Sequence, residues 1–424
     1  MKRLLLLAFV LAVSAAPTRA DNWPQWRGPK NDGLSAEKNL PIEWDADKNV
    51  VWKLKLPGMG AGTPVVWGDK IFFTSVDGDN IVLMCVTTDG KEKWKKELSN
   101  TGAKRYRNPS GADVSDASAS CSTDGKHVWA CSGNGNLACF TVDGTQVWTL
   151  DLQKYGKYNI QFGCHWTPVL YKDKLYLQVM HRNTQIVLAL EAATGKEVWK
   201  KDRPGFGMGE SPDTYASAFI WEGKGEALLI AHGNDYCTAH KLDTGEEVWR
   251  VQGLNPSSNR AWRFVSCPLV TSDLIVVPSC KTGPTVGLNP IGAKGDITSD
   301  NKAELWRLNS SNTFRTPDVV SPIRIDDIVY LSGDGPFWAL DAKTGKEIYR
   351  KQLTGFVHRG QMVAADYKIY VTAANGKTDV VQAGKEFHKL TTNSLPDTIF
   401  GGPAIADGRL YFRGYNYLWA IGTK

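Results

Sequence analysis

One short sentence recurs along the chain and constrains the fold more than any other feature. In its fullest form it reads Ala193-Thr194-Gly195-Lys196-Glu197-Val198-Trp199. It returns as Asp89-Gly90-Lys91-Glu92-Lys93-Trp94, as Asp143-Gly144-Thr145-Gln146-Val147-Trp148 and as Asp243-Thr244-Gly245-Glu246-Glu247-Val248-Trp249. With tyrosine last it is Lys343-Thr344-Gly345-Lys346-Glu347-Ile348-Tyr349. Each copy is a glycine turn followed by a strand that ends on a large aromatic. The glycine supplies a backbone angle that other residues avoid. The aromatic is the kind of side chain that fills the gap between twisted sheets. Self-similarity of this sort means a repeat architecture.

Between the copies lie short runs rich in β-branched and aromatic residues, punctuated by turns such as Gly68-Asp69 and Asp124-Gly125. No long apolar stripe with helical period occurs. The first unit runs from Thr63 to Leu98, the second from Ser118 to Trp148 and the third from Thr167 to Trp199. The fourth covers Ala216–Trp249, the fifth Cys267–Trp306, the sixth Ser321–Tyr349 and the seventh Gly360 to about Leu390. The eighth, Gly402–Ala420, has three strands, and a spare strand centred on Val50–Leu56, within Glu43–Leu56, stands before the first unit. Pairing the spare strand with the last unit completes the eighth sheet and closes a ring. The expectation is an all-β chain: a single eight-bladed β-propeller of four-stranded antiparallel blades, closed by its N-terminal strand. Closure removes the open sheet edge that an array would expose.

Residues 1–20 read as a secretory signal: Lys2-Arg3, an apolar stretch Leu4–Val13, and small residues up to Ala20. Cleavage is expected before Asp21, or alternatively after Ala16. The apolar stretch is too short for a membrane span, and no cysteine stands near the cleavage site for lipid attachment, the first being Cys85. The expectation is a periplasmic or secreted monomer, with residues 21–424 as one propeller domain. Formal charge falls from +6 to +3 once Lys2, Arg3 and Arg19 are removed with the signal. So mild a balance argues against nucleic acid as a partner. The eight cysteines are Cys85, Cys121, Cys131, Cys139, Cys164, Cys237, Cys267 and Cys280. An exported chain permits disulfides, but hairpin turns at Asp124-Gly125 and Asn134-Gly135 would set Cys121 opposite Val128 and Cys131 opposite Ala138. They read as small buried hydrophobes.

The repeated sentence resembles that of pyrroloquinoline-quinone-like β-propellers, a repeat shared by quinoprotein dehydrogenases and by the propeller lipoprotein of the bacterial outer-membrane-protein assembly complex. The opening Trp23-Pro24-Gln25-Trp26-Arg27-Gly28-Pro29 is similar to that of exported members of this superfamily. On its own residues this opening reads as an irregular segment packed on a surface. The resemblance covers the whole mature chain and specifies fold rather than activity. For the enzymatic members it implies pyrroloquinoline quinone with calcium in the channel, a catalytic aspartate and a disulfide of adjacent cysteines. This sequence has no Cys-Cys pair, no Cys-x-x-Cys-His and no acidic cluster with the look of a calcium site.

Chemistry is therefore sought in the loops that lead into each blade. These carry Arg105 and Arg107, His165, Arg203 and Asp213, Arg260 and Arg263, Arg315 and Asp318, and His358 and Arg359. Basic groups at one position of most repeats make a positive funnel at one channel mouth, suited to an anionic group. The structural alternative is that these charges pair with each other and with loop carbonyls. Gly205-x-Gly207-x-Gly209 has no strand-then-helix setting and does not read as a phosphate loop. No Gly-x-Ser-x-Gly elbow occurs. The expected function is a non-catalytic binding scaffold for an envelope or extracellular protein, peptide or acidic glycan, with no catalytic residue, metal or cofactor. The alternative is a quinone-dependent alcohol or sugar dehydrogenase.

Overall fold

The computed structural model describes residues 22–100, 104–106, 114–300, 302–311, 314–355 and 357–423. Eight antiparallel sheets follow one another around a ring. Blade 1, for example, is Val65–Trp67, Lys70–Asp77, Asn80–Thr87 and Glu92–Ser99, and blade 3 is Val169–Tyr171, Lys174–His181, Thr184–Glu191 and Glu197–Asp202. In blade 8, Ala404–Ala406, Arg409–Arg413 and Tyr417–Ile421 are joined by Val50–Lys55, which runs antiparallel to the last strand from Val50↔Ile421 to Lys55↔Tyr417. Residues 43–45 are irregular and 46–49 are bends and turns, so the first strand is shorter than the sequence suggests. The core lies between blades. Each hydrophobic cluster joins neighbours: Leu83 and Cys85 of blade 1 pack with Val128 and Phe140 of blade 2, and Val66 and Ile71 with Ile405 and Tyr411 of blade 8.

The repeated sentence is the lock between blades. Trp94 donates its indole N–H to Val142 O at 3.1 Å, Trp148 to Ala192 O at 3.0 Å, Trp199 to Leu242 O at 2.8 Å and Trp306 to Ala342 O at 3.0 Å. Each acceptor belongs to the turn of the next blade. The glycine of that turn lies flat on the ring: a Cβ on Gly195 would sit 2.7 Å from Trp148, and one on Gly245 2.5 Å from Trp199. Both glycines also have φ of 71°. The glycine thus meets two needs at once, a left-handed backbone and a face flat enough for indole. A bulge recurs at the matching place in the facing strand, at Cys139/Phe140, Ala189/Leu190 and Ala239/His240. Blade 5 departs from the pattern. Its residues 289–303 form an insertion whose strand Gly295–Asp296 pairs with the outer strand of blade 4.

The opening segment does not lie on the outer surface. Trp23 exchanges two backbone bonds with Val66 of blade 1, and Pro24 O accepts from Thr123 N of blade 2. Trp26 meets Phe219 of blade 4 at 6.1 Å between rings, Arg27 Nη2 donates to Pro322 O of blade 6 at 2.6 Å, and Leu34–Ser35 pairs parallel to Val363–Ala365 of blade 7. The segment therefore crosses the channel and stops one end of it. It is kept there because innermost strands offer unpaired edges, and main-chain pairing with an added strand satisfies them.

All eight cysteines are free and buried. The hairpin registers differ from those expected: Val128 faces Thr123, two residues from Cys121, while Cys131 faces Leu137, one residue from Ala138, and Cys139 faces Trp129. Both turns are longer than the two-residue form assumed from Asp-Gly and Asn-Gly. No helix among the described residues is long and apolar enough to cross a membrane.

Candidate functional site

Above the stopped end lies a cavity of about 200 Å³ to which every blade contributes. Its walls are built at the entry to each innermost strand. There a belt of hydrogen bonds passes from blade to blade: Thr167 N to Ser217 Oγ at 2.9 Å, Ser217 N to Cys267 Sγ at 3.2 Å, Cys267 N to Ser321 Oγ at 2.9 Å and Ser321 N to Gln361 Oε1 at 2.7 Å. The belt uses up backbone donors that would otherwise face the channel unpaired. Thr167, Ser217, Cys267 and Gln361 also line the cavity. Burial pushes the Cys267 thiol up to about 11, so it enters the belt as a neutral group.

Charge enters on two arginines. Arg263 lines the cavity, its guanidinium 5.0 Å from the Phe162 ring and tied by Nη1 to Glu210 Oε2 at 2.8 Å. Arg359 lines it from blade 7, tied by Nη1 to Asp334 Oδ1 at 2.7 Å. Each tether is a partly exposed carboxylate. Such pairs hold a guanidinium in place while costing or adding little. Asp318 also lines the wall and accepts from the Cys280 thiol at 3.2 Å. His165 stands against Tyr215 at 5.4 Å, edge to face, with Nε2 2.7 Å from Phe162 O. A carbonyl only accepts, so Nε2 carries the proton and Nδ1 is the acceptor. Burial pushes His165 down to about 4, which keeps it neutral at ordinary pH.

Of the funnel residues expected from sequence, His165, Arg263, Asp318 and Arg359 meet at the cavity. Arg203 lies elsewhere. It is buried inside blade 4, donates to Gly233 O at 2.8 Å and Tyr236 O at 2.6 Å, and stacks on the Tyr236 ring at 3.8 Å. Asp213 is buried and pairs with Arg182 at 3.2 Å; burial raises it to about 6, against the pull of Arg182. His358 is buried and accepts from Gly335 N at 3.2 Å. Arg105, Arg260 and Arg315 are exposed outside the cavity lining, and Arg107 lies outside the described residues. Sequence reasoning passed over Trp26, Phe162 and Tyr215 and the small polar belt. Part of the belt had a signal, the residue before proline in Thr167-Pro168, Cys267-Pro268 and Ser321-Pro322.

The cavity lacks the donors that a calcium-held quinone, implied by the resemblance of the repeat, would need. Calcium takes about six to eight oxygen ligands, several of them carboxylates. Among the described residues the lining has one carboxylate, Asp318, already bonded to a thiol, and no group of three potential metal ligands gathers anywhere. The described residues do not fit a calcium-held quinone.

The model of the outer membrane protein assembly factor BamB family matches residues 34–117. No curated protein matches the chain. Among solved structures it is similar to BamB from Moraxella catarrhalis, at 13% identity and a TM-score of 0.61 over 88% of this chain and 97% of that one. It is similar to a europium-containing methanol dehydrogenase, at 13% identity and a TM-score of 0.67 over 94% and 90%. A third is the quinohemoprotein alcohol dehydrogenase from Comamonas testosteroni, at 13% identity and a TM-score of 0.69 over 97% and 82%. Likeness at this level reaches the fold and carries no activity with it. Repeat and architecture together make this chain an eight-bladed β-propeller, with the likeness to the BamB family model confined to residues 34–117.

Proposed function

We propose that the protein is an exported, non-catalytic scaffold that holds an acidic group of a protein, peptide or glycan at the open mouth of its channel. The observation that carries this reading is the pair Arg263 and Arg359 on a wall shared with Phe162 and Tyr215. Guanidinium groups recognise carboxylates, and aromatic faces accept an apolar side chain or a sugar ring. The tethers Glu210 and Asp334 keep both cations in place before a ligand arrives, which lowers the ordering cost of binding. A protein partner agrees with the BamB likeness, and export with the leader-type residues 1–20.

Trp26 lies on the lining; its share of the fluorescence of sixteen tryptophans, taken as the difference between the protein and Trp26→Phe, should follow occupancy. Acidic peptides and oligogalacturonate should change that signal saturably, neutral analogues should not, and high salt should weaken the response. Equal responses to acidic and neutral analogues refute the reading. So does stoichiometric capture of pyrroloquinoline quinone with calcium, followed by dye reduction with alcohols.

A further inference from the structure

Two large apolar side chains stand in water two residues apart. Phe206 is 68% exposed and Met208 55%, more than any other large apolar side chain among the described residues. Both belong to the stretch Gly205-Phe206-Gly207-Met208-Gly209, in the loop that leads into blade 4. Its glycines show how the pair is held. A Cβ on Gly205 would lie 2.2 Å from the Asn234 side chain, and one on Gly207 2.5 Å from it. Asn234 is buried, and its Oδ1 accepts from Gly207 N at 2.9 Å. Gly205 and Gly207 therefore face the blade. In an extended run alternate residues face opposite ways, which turns Phe206 and Met208 outward. The Phe206 ring lies 6.1 Å from that of buried Tyr236, so its place is fixed.

This lip runs straight into the mouth. Glu210, the next residue after Gly209, donates its N–H to Arg260 O at 2.7 Å. Its carboxylate tethers Arg263, on the cavity wall, at 2.8 Å. Met208 is two residues from Glu210, so their Cα atoms are at most about 7 Å apart. Arg260 is exposed on the neighbouring loop. A fixed apolar pair in water marks a place where something docks, and its setting says what. The cations beside it call for negative charge, and Phe206 and Met208 call for an apolar side chain. Methionine offers no flat face to a sugar ring but adapts to apolar side chains of varied shape. Of the ligand classes proposed for the mouth, a polypeptide carries both groups.

We propose that Phe206 and Met208 form the apolar half of a peptide-binding site. The partner is a protein segment with an acidic residue for Arg263 and a leucine-like side chain about two to four residues away for the lip. The proposal rests on the reading of the mouth given above and narrows it from an acidic group to a polypeptide.

The test is fluorescence anisotropy with two labelled peptides. One is made of glutamate, glycine and serine, and the other has leucines set about three residues from the glutamates. The leucine peptide should bind about tenfold more tightly. The double variant Phe206→Ser with Met208→Ser should erase that advantage and leave the leucine-free peptide within twofold of wild type. Arg263→Ala should weaken both peptides alike. If the leucines add nothing, or the double variant keeps their advantage, the lip proposal is overturned and the mouth reading stands. If neither peptide binds, or Arg263→Ala changes neither affinity, the mouth reading falls and takes the proposal with it. Two further outcomes overturn the proposal alone. Oligogalacturonate weakened by the double variant as much as the leucine peptide would make a sugar the occupant. A dimer in sedimentation that the double variant abolishes would make the lip a contact between copies of this chain.

Discussion

The two ends of the channel are built from different material. The floor is a single stretch of chain, Trp23 to Ser35, laid across the ring, with Trp23, Arg27, Gly28 and Gly33 buried and Pro29 and Lys30 exposed. The mouth is assembled from the loops that lead into all eight blades, with Arg263, Asp318 and Arg359 as its partly exposed charged side chains. The floor takes its stability from packing and main-chain pairing, whereas the mouth takes its chemistry from side chains that the fold hardly needs. Repetition fixes the walls, and everything that distinguishes one end from the other comes from sequence outside the repeat.

Breaking the floor should have the largest effect. Trp23 is fully buried between blade 1 and blade 8. Trp23→Ala should cost about 3–5 kcal/mol by chemical denaturation, while the affinity of the mouth for an acidic peptide stays within twofold. A coupled loss of both would mean that floor and mouth are one unit. Next comes Arg203→Met. It removes the donor from carbonyls inside blade 4 and should cost about 2–3 kcal/mol, again with binding intact. An affinity loss without a stability loss would return Arg203 to the mouth.

Arg263→Ala reverses the pattern. Its partner Glu210 is partly exposed, so stability should change by less than about 0.5 kcal/mol. Affinity for an acidic ligand should fall about tenfold, equivalent to about 1.4 kcal/mol. Arg359→Ala should act alike, and the double variant shows whether the two arginines grip one anionic group or two.

The fold was legible because its rule is local and repeated. A glycine turn and a tryptophan specify a blade wherever they occur, and a missing strand at one end with a spare at the other specifies the closure. The site was legible only in part. Arg203 and Arg263 both stand in loops between blades and differ in a way no spacing records. One points into its own blade and meets carbonyls, while the other turns over Phe162 toward the channel. The role of Trp23–Pro29 was hidden because its partners lie at the inner strands of blades 1, 2, 4 and 6, hundreds of residues away in part.

Acid should separate the regions in a different way. Burial lowers His165, His181 and His240 to about 4 and His232 to about 3. Each is neutral in the fold and prefers a proton when unfolded. Their contribution is complete above about pH 6.5 and is lost as pH falls toward 4. Asp213 opposes this: raised to about 6, it is relieved of its buried charge over much the same window. Burial raises Asp32, Asp116 and Asp235 in the same sense and lowers His358 with the other histidines. The histidine shifts are the larger set, so Tm should fall between pH 6.5 and 4. His165→Asn should make that fall shallower, and an unchanged slope would place His165 in water rather than against Tyr215.

The smallest expected effect lies in the belt. Cys267 occupies the position held by Ser217 and Ser321 in the neighbouring blades, and its sulfur accepts one backbone bond at 3.2 Å. Cys267→Ser keeps an acceptor in place and shortens its reach slightly, so stability should stay within about 0.5 kcal/mol. Ser217→Ala removes the acceptor from Thr167 N, which lies at 2.9 Å and is buried, and should cost about 1–2 kcal/mol. The comparison turns on the acceptor and not on the thiol. If Cys267→Ser destabilises as much as Ser217→Ala does, sulfur volume rather than the belt bond holds blades 4 and 5 together at the channel.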